Sequence, residues 1–173
     1  MSSSFEAVAG PDARVLILGT LPSAASLALG QYYAQPRNAF WKIMGELVGA
    51  APALPYAERL QRLVARRIAL WDVCALGRRS GSLDTAIRSS TVRPNDFAGF
   101  LRSHPSVELI CFNGAKAAEL FRRDTSRKPV SPATAIRRVV LPSTSPAHAA
   151  LSFERKLGEW RAALENLTGR TYG

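Results

Sequence analysis

Four short strand-like runs recur along the chain, and each is followed by a loop and then by a segment with helical spacing. The runs cover residues 14–18, 68–73, 107–112 and 137–141. In the first run, residues 15–18 are all apolar, and a continuous apolar run that ends at a glycine is typical of a strand buried on both faces. Strands that alternate with helices predict a parallel sheet with helices on both sides. We therefore predict an α/β fold, a three-layer α/β/α sandwich with a central four-stranded parallel sheet.

The segments between these runs carry apolar residues every three or four positions, as amphipathic helices do. The helices predicted in this way cover residues 38–48, 56–67, 97–103, 115–123 and 153–167. With 173 residues and no internal repeat, the chain is expected to form a single domain over residues 1–173. Residues 1–12 lack the basic start and apolar core of a secretory signal, and we expect a flexible lead-in there.

The chain is strongly basic. Lysine and arginine together number 23 against 13 acidic residues, which gives a net charge of +10, and 19 of the 23 are arginines. Such a chain attracts polyanions, and the planar arginine fork suits phosphate in particular. Arginine enrichment also follows from a GC-rich genome, so the charge leaves both interpretations open until the loops are considered.

The composition argues against several other classes of protein. Two histidines and two cysteines without ligand spacing predict no metal site, and the lack of glycine-rich phosphate motifs predicts no nucleotide cofactor. No apolar run approaches the ~20 residues that a membrane span needs. Two cysteines are too few for a disulfide framework, which favours a reducing, cytoplasmic location.

Polar residues follow the predicted strands. In open α/β sheets, ligands bind beyond the carboxyl ends of the strands, which makes this edge the expected site. Asp72 could hydrogen-bond a ligand, accept a proton or tie down a neighbouring loop. Asn113 precedes Gly114 and could either take the left-handed conformation that asparagine tolerates or read a base edge.

A proline-braced loop over residues 142–148 follows the last predicted strand. Ser143 and Ser145 could bind a backbone phosphate there, and His148 could bind a phosphate or a base. No Gly-x-Ser-x-Gly elbow is present, so a nucleophilic serine is not predicted.

The connection between the first predicted strand and the helix that begins at Asn38 is far longer than the roughly 2–6 residues usual in α/β units, and such loops are usually functional. Tyr32 and Tyr33 could stack on a nucleobase or fold back over the loop, and Arg37 lies close by in the chain. Asn38 could cap the helix, place a water molecule or read a base edge, and these roles are compatible.

Several of these segments, in this order along nearly the whole chain, carry the likeness of a known family. They are GTLPSAASLALGQYYAQPRNAFW, ALWDV, GSLD, ICFNG and LPSTSPAHA. The chain resembles the uracil-DNA glycosylase superfamily, and within it the hypoxanthine-DNA (deoxyinosine) glycosylase branch. The stretch YAQPRNAFWK is also similar to the mismatch-specific uracil and thymine glycosylases, the nearest alternative.

The resemblance implies roles for the residues that match the family motifs. Asn38 matches the catalytic asparagine of this branch, and Tyr33 matches the aromatic residue that stacks on the flipped base. Asn113 matches the asparagine implicated in holding that base. Leu21 stands where several branches place a water-activating Asp or Asn, and a leucine cannot do that work.

Residues 143–148 resemble the second motif of the family, which grips the DNA backbone and wedges the helix. Many relatives carry a leucine as the wedge, whereas this chain has Ala147 at the comparable place. Either Leu151 or Phe153 fills the gap, or the enzyme pushes bases out weakly.

Together, the residues and the resemblance predict a monofunctional DNA glycosylase that releases deaminated bases by water attack at C1′ of a flipped nucleotide. Hypoxanthine is the first expected base, with uracil or xanthine as further substrates. The predicted base-binding residues are Tyr33, Asn113, Asp72, Gly19, Leu21 and Phe40, and the predicted backbone-binding residues are Ser143, Ser145, His148 and Arg37. We expect DNA as the partner, a monomer, and neither metal nor cofactor. The alternatives are a mismatch-specific uracil or thymine glycosylase and a DNA-damage-binding protein without catalysis.

Overall fold

A parallel sheet of four strands lies at the centre of the molecule. The computed structural model describes residues 1–79, 83, 86–125 and 136–165. In chain order the strands are β1 (Ser2–Ser3), β2 (Val15–Gly19), β3 (Ile68–Asp72), β4 (Cys74–Gly77), β5 (Arg93–Pro94), β6 (Leu109–Asn113) and β7 (Arg137–Leu141). The central sheet has the order β3-β2-β6-β7, and every neighbouring pair in it is parallel. The predicted four-stranded parallel sheet is confirmed.

Helices cover both faces of this sheet. They are α1 (Ala24–Leu29), α2 (Phe40–Val48), α3 (Tyr56–Ala65), α4 (Phe97–Ser103), α5 (Ala115–Thr125) and α6 (Phe153–Leu164). Side chains of a strand point alternately to its two faces. Val15 and Ile17 of β2 belong to the core formed with α2, α3 and α6, whereas Leu16 and Leu18 belong to the core formed with α4 and α5. The sheet therefore separates two cores, as a three-layer sandwich requires.

The helix bounds differ from the predicted ones mainly at the ends. Residues 166 and 167, predicted as the last residues of α6, lie outside the described part of the chain. Within the described ranges, no helix combines the length and the apolar character needed to cross a membrane.

A helix that the spacing does not predict, α1, lies inside the long connection after β2. Its N-cap Ser23 accepts a hydrogen bond from the Ser26 N–H at 3.1 Å, and Gly30 ends it in the left-handed conformation with φ of 64°. The segment AASLAL shows too little apolar periodicity to indicate a helix, so the serine and the glycine are the available sequence signals.

The N-terminal residues, expected to form a flexible lead-in, are paired in the structure. Ser2 lies opposite Gly77, and β1, β4 and β5 form a small antiparallel sheet in the order β1-β4-β5. Val8 exchanges backbone hydrogen bonds of 2.9 and 2.8 Å with Leu70 of β3. These pairings join segments that are distant in the chain, which local sequence patterns do not reveal.

Candidate active site

A cleft of about 570 Å³ opens at the carboxyl edge of the central sheet, beyond the ends of β2, β3 and β6. Its volume falls within the roughly 300–1,000 Å³ that small-molecule sites usually have. The predicted site residues that line it are Gly19, Leu21, Tyr33, Arg37, Asn38, Asp72, Asn113, Ser143 and Ser145. The structure therefore brings most of the predicted residues into one cavity, whereas Phe40 and His148 do not line it.

Asn38 lies in the wall of the cleft immediately before α2. Its Oδ1 accepts a hydrogen bond from the Phe40 N–H at 2.9 Å, and its own N–H donates to the Gln35 carbonyl at 2.9 Å. The side chain thus satisfies one of the N–H groups that a helix start leaves free. An amide oxygen has two lone pairs, so one remains for a ligand or a water molecule in the cleft.

Tyr33 presents its ring to the cleft from a strained backbone position, with φ of 53°. Its ring stacks on Phe40 at 4.1 Å between centroids with an interplanar angle of 24°. Phe40 is fully buried and lies behind Tyr33, so it supports the ring instead of facing the cavity. The stacked pair gives the cleft a rigid aromatic wall.

Tyr32 has a different role from its neighbour. It is buried, its hydroxyl donates to the Glu6 carbonyl at 3.1 Å, and its carbonyl accepts from Trp41 Nε1 at 2.8 Å. Burial raises the pKa of Tyr32 well above its ordinary value. Both tyrosines line the cleft, but Tyr32 anchors the long connection to the core, whereas Tyr33 stacks on Phe40 and forms the aromatic wall.

Gly19, at the end of β2, forms part of the cleft floor. A Cβ added there would lie 2.7 Å from Asp72 Oδ1 and 2.8 Å from the Tyr33 hydroxyl oxygen. Asp72 is 3% exposed, and its Oδ2 accepts a hydrogen bond from Ser4 Oγ at 3.2 Å. Only a residue without a side chain leaves room for this carboxylate and this phenol at the same place.

Asn113, at the end of β6, is bound on both sides of its amide by one residue. Its Nδ2 donates to Thr144 Oγ1 and its Oδ1 accepts from the Thr144 N–H, both at 2.9 Å. Both residues are buried at the cleft edge. One N–H and one lone pair of the Asn113 amide remain for a ligand.

Two side chains of α6 hold loop 142–148 in place. Trp160 Nε1 donates to the Pro142 carbonyl at 3.0 Å, and Lys156 Nζ donates to the His148 carbonyl at 2.6 Å. Burial lowers the pKa of Lys156. Because the two donors are four residues apart on one helix, α6 fixes both ends of the loop.

The residues considered for the wedge differ in their surroundings. Phe153 opens α6 and packs against the core, and Leu151 is half-buried. Leu83, which the sequence analysis did not consider for the wedge, lines the cleft and is 52% exposed. It is the one described residue of the GSLD segment, whose other residues lie outside the described part of the chain.

The residues of the cleft that the sequence does not predict include Thr144 and Arg79. Thr144 carries no catalytic signature, and only its tertiary contacts reveal its importance. Arg79 lines the cleft and donates through Nη2 to the Pro22 carbonyl at 2.7 Å, which ties down the segment after β2. Its position in a basic, polar stretch after the second predicted strand was the available signal.

Metal binding finds no support among the residues that the structure describes. They contain no group of three or more His, Cys, Asp and Glu side chains able to hold an ion. The polar groups that these residues present to the cleft are hydroxyls, amides, guanidinium groups and one carboxylate, and they suit hydrogen bonding to a polar organic ligand.

The fold and the cleft define a class, the three-layer α/β proteins that bind their ligands beyond the carboxyl ends of a parallel sheet. The chain belongs to the uracil DNA glycosylase superfamily, because the family model of that description matches residues 7–168. The predicted family is confirmed, and so is the interpretation of the chain as a DNA glycosylase.

The relatives extend over almost the entire chain. A hypoxanthine DNA glycosylase of Methanosarcina acetivorans is 37% identical over 94% of this chain and 97% of the relative. Another of the same name, from Methanosarcina barkeri, is 33% identical over 93% and 96%. The solution NMR structure of a candidate uracil DNA glycosylase from M. acetivorans superposes with a TM-score of 0.78 at 35% identity, covering 97% of this chain and 99% of that one.

Proposed function

We propose that this glycosylase hydrolyses the N-glycosidic bond of deaminated bases in DNA, hypoxanthine foremost and uracil or xanthine as further substrates. The observation that carries the proposal is the pairing of Asn38 and Tyr33 in one cleft, an amide and an aromatic wall lining the same cavity. The curated relatives named hypoxanthine DNA glycosylase support the choice of the first substrate.

The target base has to leave the duplex before it can enter the cleft. Extrusion costs a few kcal/mol, and least for a mispaired base, so deaminated bases are favoured before any pocket contact is made. Tyr33 receives the base face-on with Phe40 behind it. Asp72 and Asn113 offer hydrogen bonds to the base edge, and Gly19 and Leu21 leave space for the ring.

Asn38 positions the attacking water in this scheme. Its Oδ1 already accepts from the Phe40 N–H, which fixes the amide plane, and its second lone pair orients a water toward C1′. An amide is uncharged, so it acts by orientation and not as a strong base. The C1′–N bond breaks with its electron pair going to the base, the water oxygen bonds to C1′, and the departing base receives the proton that the water loses.

The charge that develops on the sugar is stabilised by groups already fixed in place. In an oxocarbenium-like transition state, DNA phosphates and oriented dipoles of the cleft supply negative potential. Ser143, Ser145 and Arg37 at the rim, with His148 at the end of loop 142–148, hold the phosphates. The enzyme acts as a cytoplasmic monomer, and water is the only co-substrate of the scheme.

A panel of duplexes tests the proposal. Hypoxanthine, uracil, xanthine or thymine is placed opposite each normal base, and alkaline cleavage reports the abasic product in single turnover. Release of hypoxanthine ahead of the other bases supports the proposal. Preference for uracil and thymine in mismatches would assign the chain to the mismatch-specific branch, and binding without product on any duplex would leave a damage-binding protein.

A second assay separates hydrolysis from lyase chemistry. Borohydride traps a covalent enzyme–DNA adduct only when an amine attacks C1′, which the water mechanism does not require. We expect no trapped adduct under conditions in which abasic product forms.

A further inference from the structure

A second, smaller cavity of about 190 Å³ lies beside the main cleft. Tyr33, Gln35 and Asn38 line both cavities, so the segment that carries Asn38 forms the wall between them. A ligand bound at Asn38 in the main cleft would therefore be adjacent to a group held in the smaller cavity.

The smaller cavity is basic. Lys42 in the first turn of α2 and Arg59 in α3 both line it. Within the described ranges, neither side chain forms an ion pair with a carboxylate. Since α2 begins at this wall, the positive end of its helix dipole adds to the same potential.

Arg59 is held in a fixed orientation by two aromatic rings. Its guanidinium carbon lies 4.7 Å from the centroid of Trp41 and 5.3 Å from that of Tyr56. Among the described residues, its Nε is buried and donates to no acceptor. Burial lowers the pKa of Arg59, yet an arginine stays charged at neutral pH.

A half-buried guanidinium held against two aromatic rings is oriented in advance for an anion that enters the cavity. The ligand has to be an anion small enough for the cavity, and it has to lie next to the nucleotide whose sugar reaches Asn38. A phosphate diester meets these conditions, because the arginine fork binds two of its oxygens at once.

We propose that the cavity between Lys42 and Arg59 is a subsite for one DNA backbone phosphate, adjacent to the nucleotide whose base enters the main cleft. This inference rests on the proposed function, because that nucleotide is the glycosylase substrate. The subsite holds the strand on the side of Asn38 opposite the base, and so fixes the sugar from both directions.

Salt titrations of DNA binding test the subsite. For Arg59→Gln and Lys42→Gln, we expect a Kd for a hypoxanthine duplex that is roughly tenfold higher at low salt. The slope of log Kd against log salt falls by about 0.9 for each phosphate that the protein no longer neutralises. In single turnover, the enzyme concentration for half-maximal rate should rise more than the maximal rate falls. Lys42 is exposed, so its variant tests the subsite even if Arg59→Gln unfolds the aromatic contacts.

Arg102→Gln is the matched control. Arg102 is an exposed arginine in the last turn of α4, a helix that ends where the chain approaches the amino edge of the sheet. It loses the same charge as Arg59→Gln and should keep the wild-type slope. If all three variants shift the slope equally, only net charge matters and the subsite is refuted.

Neutral phosphates identify the ligand directly. A series of duplexes carries one uncharged methylphosphonate at a time around the hypoxanthine. At one flanking position, the neutral phosphate should weaken DNA binding by the wild type but should not weaken binding by Arg59→Gln any further. Two results would overturn the subsite. The first is that Arg59→Gln loses further affinity at every neutralised position, so that the effects are additive throughout. The second is that inorganic phosphate competes in a way that depends on Arg59 while the salt slope of DNA binding is the same in the wild type and in Arg59→Gln. Wild-type base release is scored separately, so a failure of the proposed function is distinguishable from a failure of the subsite.

Discussion

Asn113 and Thr144 are joined by two hydrogen bonds of 2.9 Å that engage both ends of the Asn113 amide. The Thr144 carbonyl in turn accepts from the Ala39 N–H at 2.9 Å, next to Asn38. One buried threonine therefore connects the end of β6, loop 142–148 and the start of α2. The positions of the proposed base-binding and catalytic amides depend on the same residue.

Replacing Thr144 separates its hydroxyl from its size. Thr144→Val keeps the shape and removes Oγ1, which leaves the Asn113 Nδ2 without its acceptor in a buried place. We expect a loss of about 1–3 kcal/mol in unfolding free energy and slower base release. Thr144→Ser keeps the hydroxyl and should retain most of both properties. If the two variants behave equally in chemical denaturation and single turnover, the hydrogen bond to the Thr144 hydroxyl contributes to neither stability nor base release.

Asn38 carries the sharpest catalytic prediction. Asn38→Ala should slow base release by roughly 10²-fold or more, because the water loses its orientation, while DNA affinity stays close to the wild type. It also loses the hydrogen bond to the Phe40 N–H, which costs about 1 kcal/mol. Asn38→Ser restores that bond through its hydroxyl without restoring the amide, so its stability should recover and its rate should not. Comparable single-turnover rates in Asn38→Ala and the wild type would exclude Asn38 from the mechanism.

Gly19 can be tested against a matched glycine elsewhere. Gly19→Ala brings a methyl group to 2.7 Å from Asp72 Oδ1 and 2.8 Å from the Tyr33 hydroxyl oxygen. We expect a loss of about 1–3 kcal/mol in stability and weak base binding. Gly158→Ala lies on the exposed face of α6 with nothing within 4 Å, and should stabilise the protein by about 0.5–1 kcal/mol. Thermal unfolding and duplex cleavage of both variants make the comparison, and an active, stable Gly19→Ala would contradict the described floor.

The buried thiol of Cys111 should make the stability of the protein depend on pH in the alkaline range. Burial in β6 raises the pKa of this thiol from 9.0 to about 12. The unfolded chain releases the proton near pH 9 and the folded chain does not, so this stability is complete below pH 9 and is lost as pH rises toward 12. Between about pH 10 and 11 the wild type should lose stability faster than Cys111→Ala, by up to about 1.4 kcal/mol per pH unit. Denaturant titrations at several pH values measure the difference, and parallel profiles would show that the thiol ionises equally in both states.

Local sequence patterns predicted much of the fold, as β2 and α2 show. The run at residues 14–18 is apolar at every position after the arginine, and a strand buried on both faces leaves that mark in the sequence. The helix after Asn38 was indicated by its spacing. In contrast, α1 was not predicted, because AASLAL packs few residues into the core and so shows no periodicity.

The sequence predicted only part of the candidate site. Asn38, Asp72 and Asn113 stand next to strand or helix ends, where the edge rule for α/β sheets brings them together, and Tyr33 lies in the long connection after β2. The sequence did not predict Arg59, because its importance depends on Trp41 and Tyr56 lying against it. It did not predict Thr144 either, because the partners of Thr144, Asn113 and Ala39, come from other elements.

The sequence by itself determined the alternation of strands and helices, the basic charge and the motifs at the strand ends, because these depend on residue type and short-range spacing. Only the tertiary structure decided the strand order β3-β2-β6-β7, the pairing of the N-terminal residues with β3 and β4, and the separate roles of Tyr32 and Tyr33. The physical reason is that each of these features is set by contacts between segments far apart in the chain, and such contacts leave no periodic trace in either partner.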